Sequence, residues 1–400
     1  MEPERDEPGD KPVTDPASPD ALRARLVVLL QMTGVLRDPA VERAFRAVPR
    51  HRFLPGVSLA EAYADTAIAT HWENGVAVSS ASQPSMVAIM LEQLRVEPGM
   101  RVLEIGAGTG YNAALLAALA EPSGAVTTLD IDTEIVAEAR EHLAAAGYPA
   151  VRAIATDGAT GWAEGAPYDR IILTVGASDI APAWLAQLRE GGLLVIPLWL
   201  GGAEASIAFR KRGGILISEA LSPCGFMRLR GAEAGAERVV PLPGGRRLFG
   251  ERAAELAEPV AHLLATRPVY RFWSHPAHAF LEYLGLRGHD LLALIPARMP
   301  RRARGLRGRW GVYIAPPEGP SLALFSLTFP ALLTFGTAAA ACLLEAEATR
   351  WHQASLPPLE CWCITARPLA DVGAAPVPAG AIRLARRHFA FDVEPGAAGD

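Results

Sequence analysis

The sequence predicts an α/β fold, a mostly parallel sheet covered by helices on both faces, entered through N-terminal helices and followed by a smaller α+β domain. Three observations predict it. From Arg101 to Glu219, apolar β runs alternate with helical segments, the pattern of strands joined by crossover helices. Three glycines, Gly106, Gly108 and Gly110, fall where the first of those runs turns into a helix. Beyond Gly231 the alternation gives way to a different order of strands and helices.

In chain order, Ala21–Thr33 and Pro39–Val48 read as helices, the second opened by Asp38 as cap and Pro39 in the first turn. Pro84–Leu94 is a third. Arg101–Ile105, Ala125–Asp130, Val151–Thr156, Tyr168–Val175 and Leu193–Pro197 are strands, with helices at Tyr111–Ala120, Thr133–Ala146 and Pro182–Arg189. Ala205–Arg210 and Ile215–Glu219 flank Gly213-Gly214, a hairpin signal. Later, Leu248–Ala265, Ala277–Leu284 and Thr337–Arg350 suggest helices. Gly311–Ile314, Ser321–Phe329, Glu360–Ala366 and Arg387–Val393 suggest strands. The organisation expected is a disordered acidic tail over 1–20, a main domain over 21–231, a linker over 232–247 and a C-terminal domain over 248–395.

Of 400 residues half are apolar and a fifth charged, ordinary for a water-facing globular chain. The net charge of −5 is local, because the first twenty residues hold seven acids and two bases. No basic field remains to attract nucleic acid. The tail lacks the basic start and apolar core of a secretion signal, so a cytoplasmic location is expected. Cys224, Cys342, Cys361 and Cys363 form neither a disulfide framework nor a zinc spacing, and no metal is expected. Ser321–Leu344 carries no charge, yet Pro330 and Gly336 interrupt it. A buried strand and helix fit it better than a membrane span.

The strongest local signal is Val102-Leu-Glu-Ile-Gly-Ala-Gly-Thr-Gly110. Glycines let a backbone approach a ligand closely, and the helix that follows offers free N–H groups. A dinucleotide site would cradle a pyrophosphate, which Glu104 would repel. That carboxylate suits the cationic methionine part of S-adenosylmethionine. Asp130, ending the next strand, can accept both ribose hydroxyls, and Asp157-Gly158 after the third strand can meet the adenine edge. The cofactor-binding set expected is therefore Glu104, Gly106, Ala107, Gly108, Gly110, Asp130, Ile131, Asp157 and Gly158.

With these residues in view, the chain resembles the protein-L-isoaspartate O-methyltransferase family from about Val41 to Gly231. The likeness lies in Ala47-Val-Pro-Arg-His-Arg-Phe53, Ala62-Tyr-Ala-Asp65, Ser82-Gln-Pro84, the Glu104–Asn112 loop, Ala166-Pro-Tyr-Asp-Arg-Ile171 and Gln187-Leu-Arg-Glu-Gly-Gly192. It implies a Rossmann-like methyltransferase sheet over 21–231, S-adenosylmethionine as cofactor, and methylation of the α-carboxylate of isoaspartyl residues. The family's active-site serine maps onto Ser82 and its neighbouring hydroxyl onto Ser80. A helix-entry cap ahead of Pro84 is the alternative use of Ser82.

Gly225-Phe-Met-Arg-Leu-Arg-Gly231 resembles the stretch where such enzymes end, whereas this chain continues for 169 residues. The extension resembles relatives that esterify an aspartate of a cyclised precursor peptide, so a tailoring enzyme is the alternative function. In that reading the C-terminal domain grips the peptide, with Trp351, Arg386, Arg387 and Phe389 as candidates. A core tryptophan and a solvated strand end are their plainer use. A non-catalytic binding module would go with a degraded glycine loop or a lost serine, and neither is seen. The partner expected is a protein or peptide bearing isoaspartate or aspartate, bound by a monomer.

Overall fold

The computed structural model describes residues 18–73, 76–202, 204–273, 277–296, 309–326, 330–353, 361–373, 376–378 and 380–395. Most of the expected tail lies outside them. Its last residues instead start helix α1 (Pro19–Met32), where the Ser18 hydroxyl accepts from the Ala21 amide at 3.2 Å. Helices α2 (Pro39–Ala47) and α3 (Leu59–Ala62) follow. Strands β1 (Ile68–Glu73) and β2 (Val76–Ala81) then form an antiparallel hairpin ahead of α4 (Pro84–Leu94). Leu30, Val41, Phe45 and Leu91 bury the apolar stripes of α1, α2 and α4 in one core.

The main sheet is built from β3 (Arg101–Ile105), β4 (Ala125–Asp130), β5 (Arg152–Ala155), β6 (Tyr168–Leu173) and β7 (Leu188–Trp199), with α5 (Tyr111–Ala120), α6 (Thr133–Ala146) and α7 (Pro182–Gln187) between them. These strands run parallel in the order β5-β4-β3-β6-β7. The two neighbours of β3 are reached in opposite directions, which opens a crevice at its carboxyl end. The glycine cluster sits there. β8 (Glu204–Arg212) and β9 (Ile215–Pro223) extend the sheet antiparallel, turning at Gly213-Gly214 as the sequence predicts.

Beyond Gly231 the structure departs from expectation. Residues 232–247, read as a linker, contain strand β10 (Arg238–Leu242), which pairs with β11 (Arg246–Gly250). Gly244 and Gly245, with φ near 74° and 71°, make the reversal between them. Leu248–Gly250, expected as the start of a helix, therefore belongs to β11, and α8 spans only Ala253–Leu264. After β12 (Val269–Phe272), α9 (Ala277–Leu286), β13 (Leu291–Pro296), β14 (Arg309–Ile314), β15 (Ser321–Ser326) and β16 (Ala331–Gly336), a seven-stranded sheet is complete, ordered β10-β11-β13-β14-β15-β16-β12. Helix α10 (Ala339–Gln353) packs on it, so the uncharged run from Ser321 is strands and a helix. No helix among the described residues is long and apolar enough to cross a membrane.

The last elements, β17 (Trp362–Pro368), α11 (Leu369–Val372), β18 (Ile382–Ala385) and β19 (Phe389–Pro395), are not confined to that second sheet. β17 pairs with β9 through Thr365 and Ala366, adding three strands to the main sheet. Trp362, Ile364, Phe389 and Phe391 are buried with Leu194, Ile207 and Phe209 in its core.

Candidate active site

A cavity of about 600 Å³ opens at the carboxyl end of β3, within the usual range for small-molecule sites. Four segments meet there: residues 78–87, the loop 105–112, the ends of β4 and β6, and residues 223–230.

The loop is shaped for close approach. The Gly106 and Ala107 amides donate to the Leu129 carbonyl at 2.8 and 2.9 Å, tying the loop to β4. Gly106 has φ near 103°, and a Cβ there would lie 2.5 Å from the Thr174 hydroxyl. Only glycine fits that turn. Gly106, Ala107 and Gly108 line the cavity, whereas Gly110 does not. Gly110 caps α5 and packs it on α6, where a Cβ would meet the Ala139 carbonyl at 3.2 Å.

Asp130 is the acid on the wall. Its Oδ2 accepts from the Gly108 amide at 3.2 Å, and its Oδ1 from Asp132 at 3.3 Å. Burial raises its pKa above the ordinary carboxylate value, and these two amides oppose the rise. Ile131 and Gly158 line the same side. Asp157 does not. Its Oδ1 accepts from Ala159 and its Oδ2 from Ala232, at 2.9 and 2.7 Å, so a carboxylate expected at the adenine edge is a double cap.

Glu104 also differs from expectation. It is fully buried in β3 behind the loop, accepting from Asn112 Nδ2 at 2.7 Å and from the Thr128 hydroxyl at 2.6 Å. Burial, the dominant cause, lifts its carboxyl to about 7. The folded protein thus keeps a proton that the unfolded chain releases near 4.5. Stability therefore falls as pH rises from about 4.5 to about 7 and is level above that. Glu104→Gln should match the wild type at about pH 4 and exceed it by about 3 kcal/mol at about pH 8. Urea denaturation at the two pH values checks this.

Ser80 and Ser82 line the opposite wall, with Ser79 beside them. Neither the Ser80 nor the Ser82 hydroxyl has a hydrogen-bond partner among the described residues. Ser82 does not cap α4. The cap position is Gln83, which makes no side-chain cap bond, and Asp65 Oδ1 accepts from the Ser85 amide at 2.8 Å instead. Asp65 Oδ2 holds Gln83 Nε2 at 3.1 Å. From the other side Arg50, fully buried, donates to the Ser82 carbonyl at 2.9 Å and to the Ala62 carbonyl at 3.0 Å. Its guanidinium lies 5.0 Å from the centroid of the Tyr111 ring, itself part of the wall.

Arg50 and Asp65 belong to the motifs quoted above, and no local pattern assigns them a role. The available signal was an arginine between Val48 and Phe53, both fully buried. Arg228 and Arg230 were likewise passed over. Arg230 lies 3.2 Å from Glu73 and 3.9 Å from Asp130 and Asp132, linking the β1–β2 hairpin to the end of β4 and the start of α6. Of the C-terminal candidates, none lines the cavity. Phe389 is core, Trp351 packs 5.8 Å from the Phe280 ring, Arg386 pairs with Glu251, and Arg387 reaches the Ala232 carbonyl.

Comparison with known proteins bears on this cavity. The sequence profile of the protein-L-isoaspartate(D-aspartate) O-methyltransferase family matches residues 21–234. A protein-L-isoaspartate O-methyltransferase of Methanopyrus kandleri is 38% identical over 226 residues, 54% of this chain and 94% of its own. One from Hyperthermus butylicus is 39% identical over 218 residues, 52% of this chain and 88% of its own. A solved protein-L-isoaspartate O-methyltransferase superposes with a TM-score of 0.52 at 25% identity, covering 86% of this chain and 96% of that one. That likeness reaches past the profile match into the C-terminal part.

Proposed function

The chain belongs to the protein-L-isoaspartate(D-aspartate) O-methyltransferase family, and from that premise we propose that its cavity esterifies the α-carboxylate of isoaspartyl residues in proteins and peptides. It is a methyltransferase and its cofactor is S-adenosylmethionine. The observation that carries the site assignment is the free Ser82 hydroxyl on the cavity wall, its helix cap supplied from elsewhere by Asp65.

The residues present fit the cofactor. The turn at Gly106 has no room for a Cβ, Gly108 brings an amide to Asp130, and Asp130 with Ile131 and Gly158 forms one side of the cavity. Asp130 would hold the ribose hydroxyls and Gly106–Gly108 the methionine part, with Ile131 and Gly158 against the adenine. Bound there, the cofactor supplies an electrophilic methyl on a sulfonium. Glu104 acts one layer back, orienting Asn112 at the start of α5.

The protein's own task is light in acid–base terms. An acceptor carboxylate, with an ordinary value of about 3.9, is already ionised at neutral pH and needs no general base. The Ser80 and Ser82 hydroxyls donate to it and fix the attacking oxygen, and the walls exclude water. Orientation of this kind is worth up to ~7–11 kcal/mol. Neutral hydroxyls leave the anion less stabilised than a buried cation would, so binding does not deepen the ground state. Arg50 and Asp65 keep the serine backbone in place. Once esterified, the carboxyl carries a leaving group. The adjacent backbone nitrogen attacks it, methanol departs, and hydrolysis of the resulting succinimide returns part of the material to aspartate.

Tailoring of a cyclised precursor, the alternative suggested by the long C-terminal part, has no observation in its favour. The solved isoaspartate methyltransferase is itself similar over most of this chain. A cytoplasmic, monomeric enzyme belongs to the same proposal. Mass spectrometry of an isoaspartyl peptide incubated with enzyme and S-adenosylmethionine tests it. A methyl ester followed by succinimide is expected, and an unchanged peptide contradicts the reading.

A further inference from the structure

Among the described residues, every one lining the cavity precedes Gly231, so the described C-terminal part adds nothing to the wall itself. It does hold the back of that wall. The strap from Pro223 to Glu237 leaves β9 and crosses the ends of β7 and β6 towards β4. On its inner side, the Met227 carbonyl accepts from Gly176 and the Leu229 amide donates to Gly176, both at 2.8 Å. Its other ties include the Cys224 and Phe226 amides on Glu204, at 3.0 and 3.3 Å, and the Arg230 ion pairs. Segments held by few backbone bonds open readily.

On its outer side the contacts come from the ends of β7 and β8 and from residues beyond 245. The Arg228 guanidinium lies 4.5 Å from the Trp199 ring centroid and 5.8 Å from that of Phe249, a residue of β11, with Glu204 at 3.4 Å. A guanidinium over an aromatic ring face and partly shielded from water is held more firmly than a fully exposed one. The Trp199 indole N–H donates to Glu251 at 3.0 Å, and Arg386 donates to the same carboxylate at 3.1 Å. Further on, Arg387 donates to the Ala232 carbonyl at 3.3 Å, and His388 Nε2 lies 2.9 Å from Glu233. The Ala232 amide meanwhile caps on Asp157. The strap is thus pinned between the acids of the main sheet and the C-terminal strands.

We propose that the C-terminal part is a brace: β11 and the turn between β18 and β19 press the strap 223–237 onto the cavity, and Arg228 is the positioning residue that carries this hold to the acceptor side. The side follows from sheet order. The cofactor acid Asp130 sits at the end of β4, whereas Trp199 and Glu204 sit at the ends of β7 and β8, across β3. The assignment of that side to the acceptor rests on the methyltransferase reading.

The test uses the full chain. Arg387→Ala with His388→Ala removes two outer contacts, and the Arg387 side chain is 69% exposed, so the fold has little to lose. Arg228→Met removes the cation over Trp199 and Phe249, and Arg228→Lys is the conservative rescue. Amide hydrogen exchange without ligand should quicken about tenfold at Leu229 and Ala232 and stay unchanged in β3 and β4. KM for an isoaspartyl peptide should rise about fivefold with kcat nearly constant, and Arg228→Lys should restore most of it. Unchanged strap exchange in both Arg228→Met and the double variant overturns the brace, as does a KM change without an exchange change, which would mean direct peptide contact. If the wild type methylates no isoaspartyl peptide, the functional reading fails while the exchange result still decides for or against the brace.

Discussion

Ser82→Ala should lower kcat for an isoaspartyl peptide by about 100-fold while leaving the affinity for S-adenosylhomocysteine unchanged. The Ser82 hydroxyl lines the cavity, makes no cap, and has no other partner among the described residues, so its loss disturbs no packing or helix start. What is lost is the donor that orients the acceptor oxygen. Since a misplacement of about 1 Å can cost about 100-fold, the effect belongs in kcat. Ser80→Ala removes the second donor and should do less, because one hydroxyl still aligns the carboxylate. Steady-state kinetics with calorimetry on the same samples separates the two terms. Equal kcat in Ser82→Ala and wild type would remove Ser82 from the site.

Asp130→Ala should have the opposite signature. Cofactor affinity should fall about 10- to 100-fold, because two hydrogen bonds to a charged acceptor are lost at about 1.5–3 kcal/mol each, partly offset by desolvating the carboxylate. The Gly108 amide, which donates to Asp130 at 3.2 Å, loses its partner as well, so the loop loosens. At saturating cofactor kcat should stay within about twofold, as Asp130 does not face the acceptor. Titration calorimetry with S-adenosylhomocysteine reads the first number directly.

The legible parts of this protein are those written over short stretches. The glycine loop, the strand ends and the α/β alternation each occupy a few consecutive residues, and the structure brings Gly106, Gly108, Asp130, Ile131, Ser80 and Ser82 to one cavity. Residue type alone could not say which carboxylate would be free. Glu104 lies in a central strand covered on both faces, so its polarity gave no direction, and Asp157, capping two amides, does not line the cavity as Asp130 does. The clamp on Ser82 joins residues 32 positions apart at Arg50 and 20 apart between Asp65 and Ser85, a distance that no local pattern reveals. The β1–β2 hairpin was missed because Thr70-His71-Trp72 and Ser79-Ser80 lack an apolar alternation. The return of β17–β19 to the main sheet rests on two paired positions on β9, too few to leave a mark in sequence.

The central claim is spatial: one cavity holds a methyl donor on Gly106–Gly108 and Asp130, facing a carboxylate oriented by Ser80 and Ser82. A crystal structure with S-adenosylhomocysteine and an isoaspartyl peptide tests it most directly. The ribose hydroxyls should lie on Asp130, and the Ser82 hydroxyl should donate to the peptide carboxylate on the side the sulfur faces. A loop left empty at saturating cofactor, or a peptide carboxylate bound away from both serines, would contradict it.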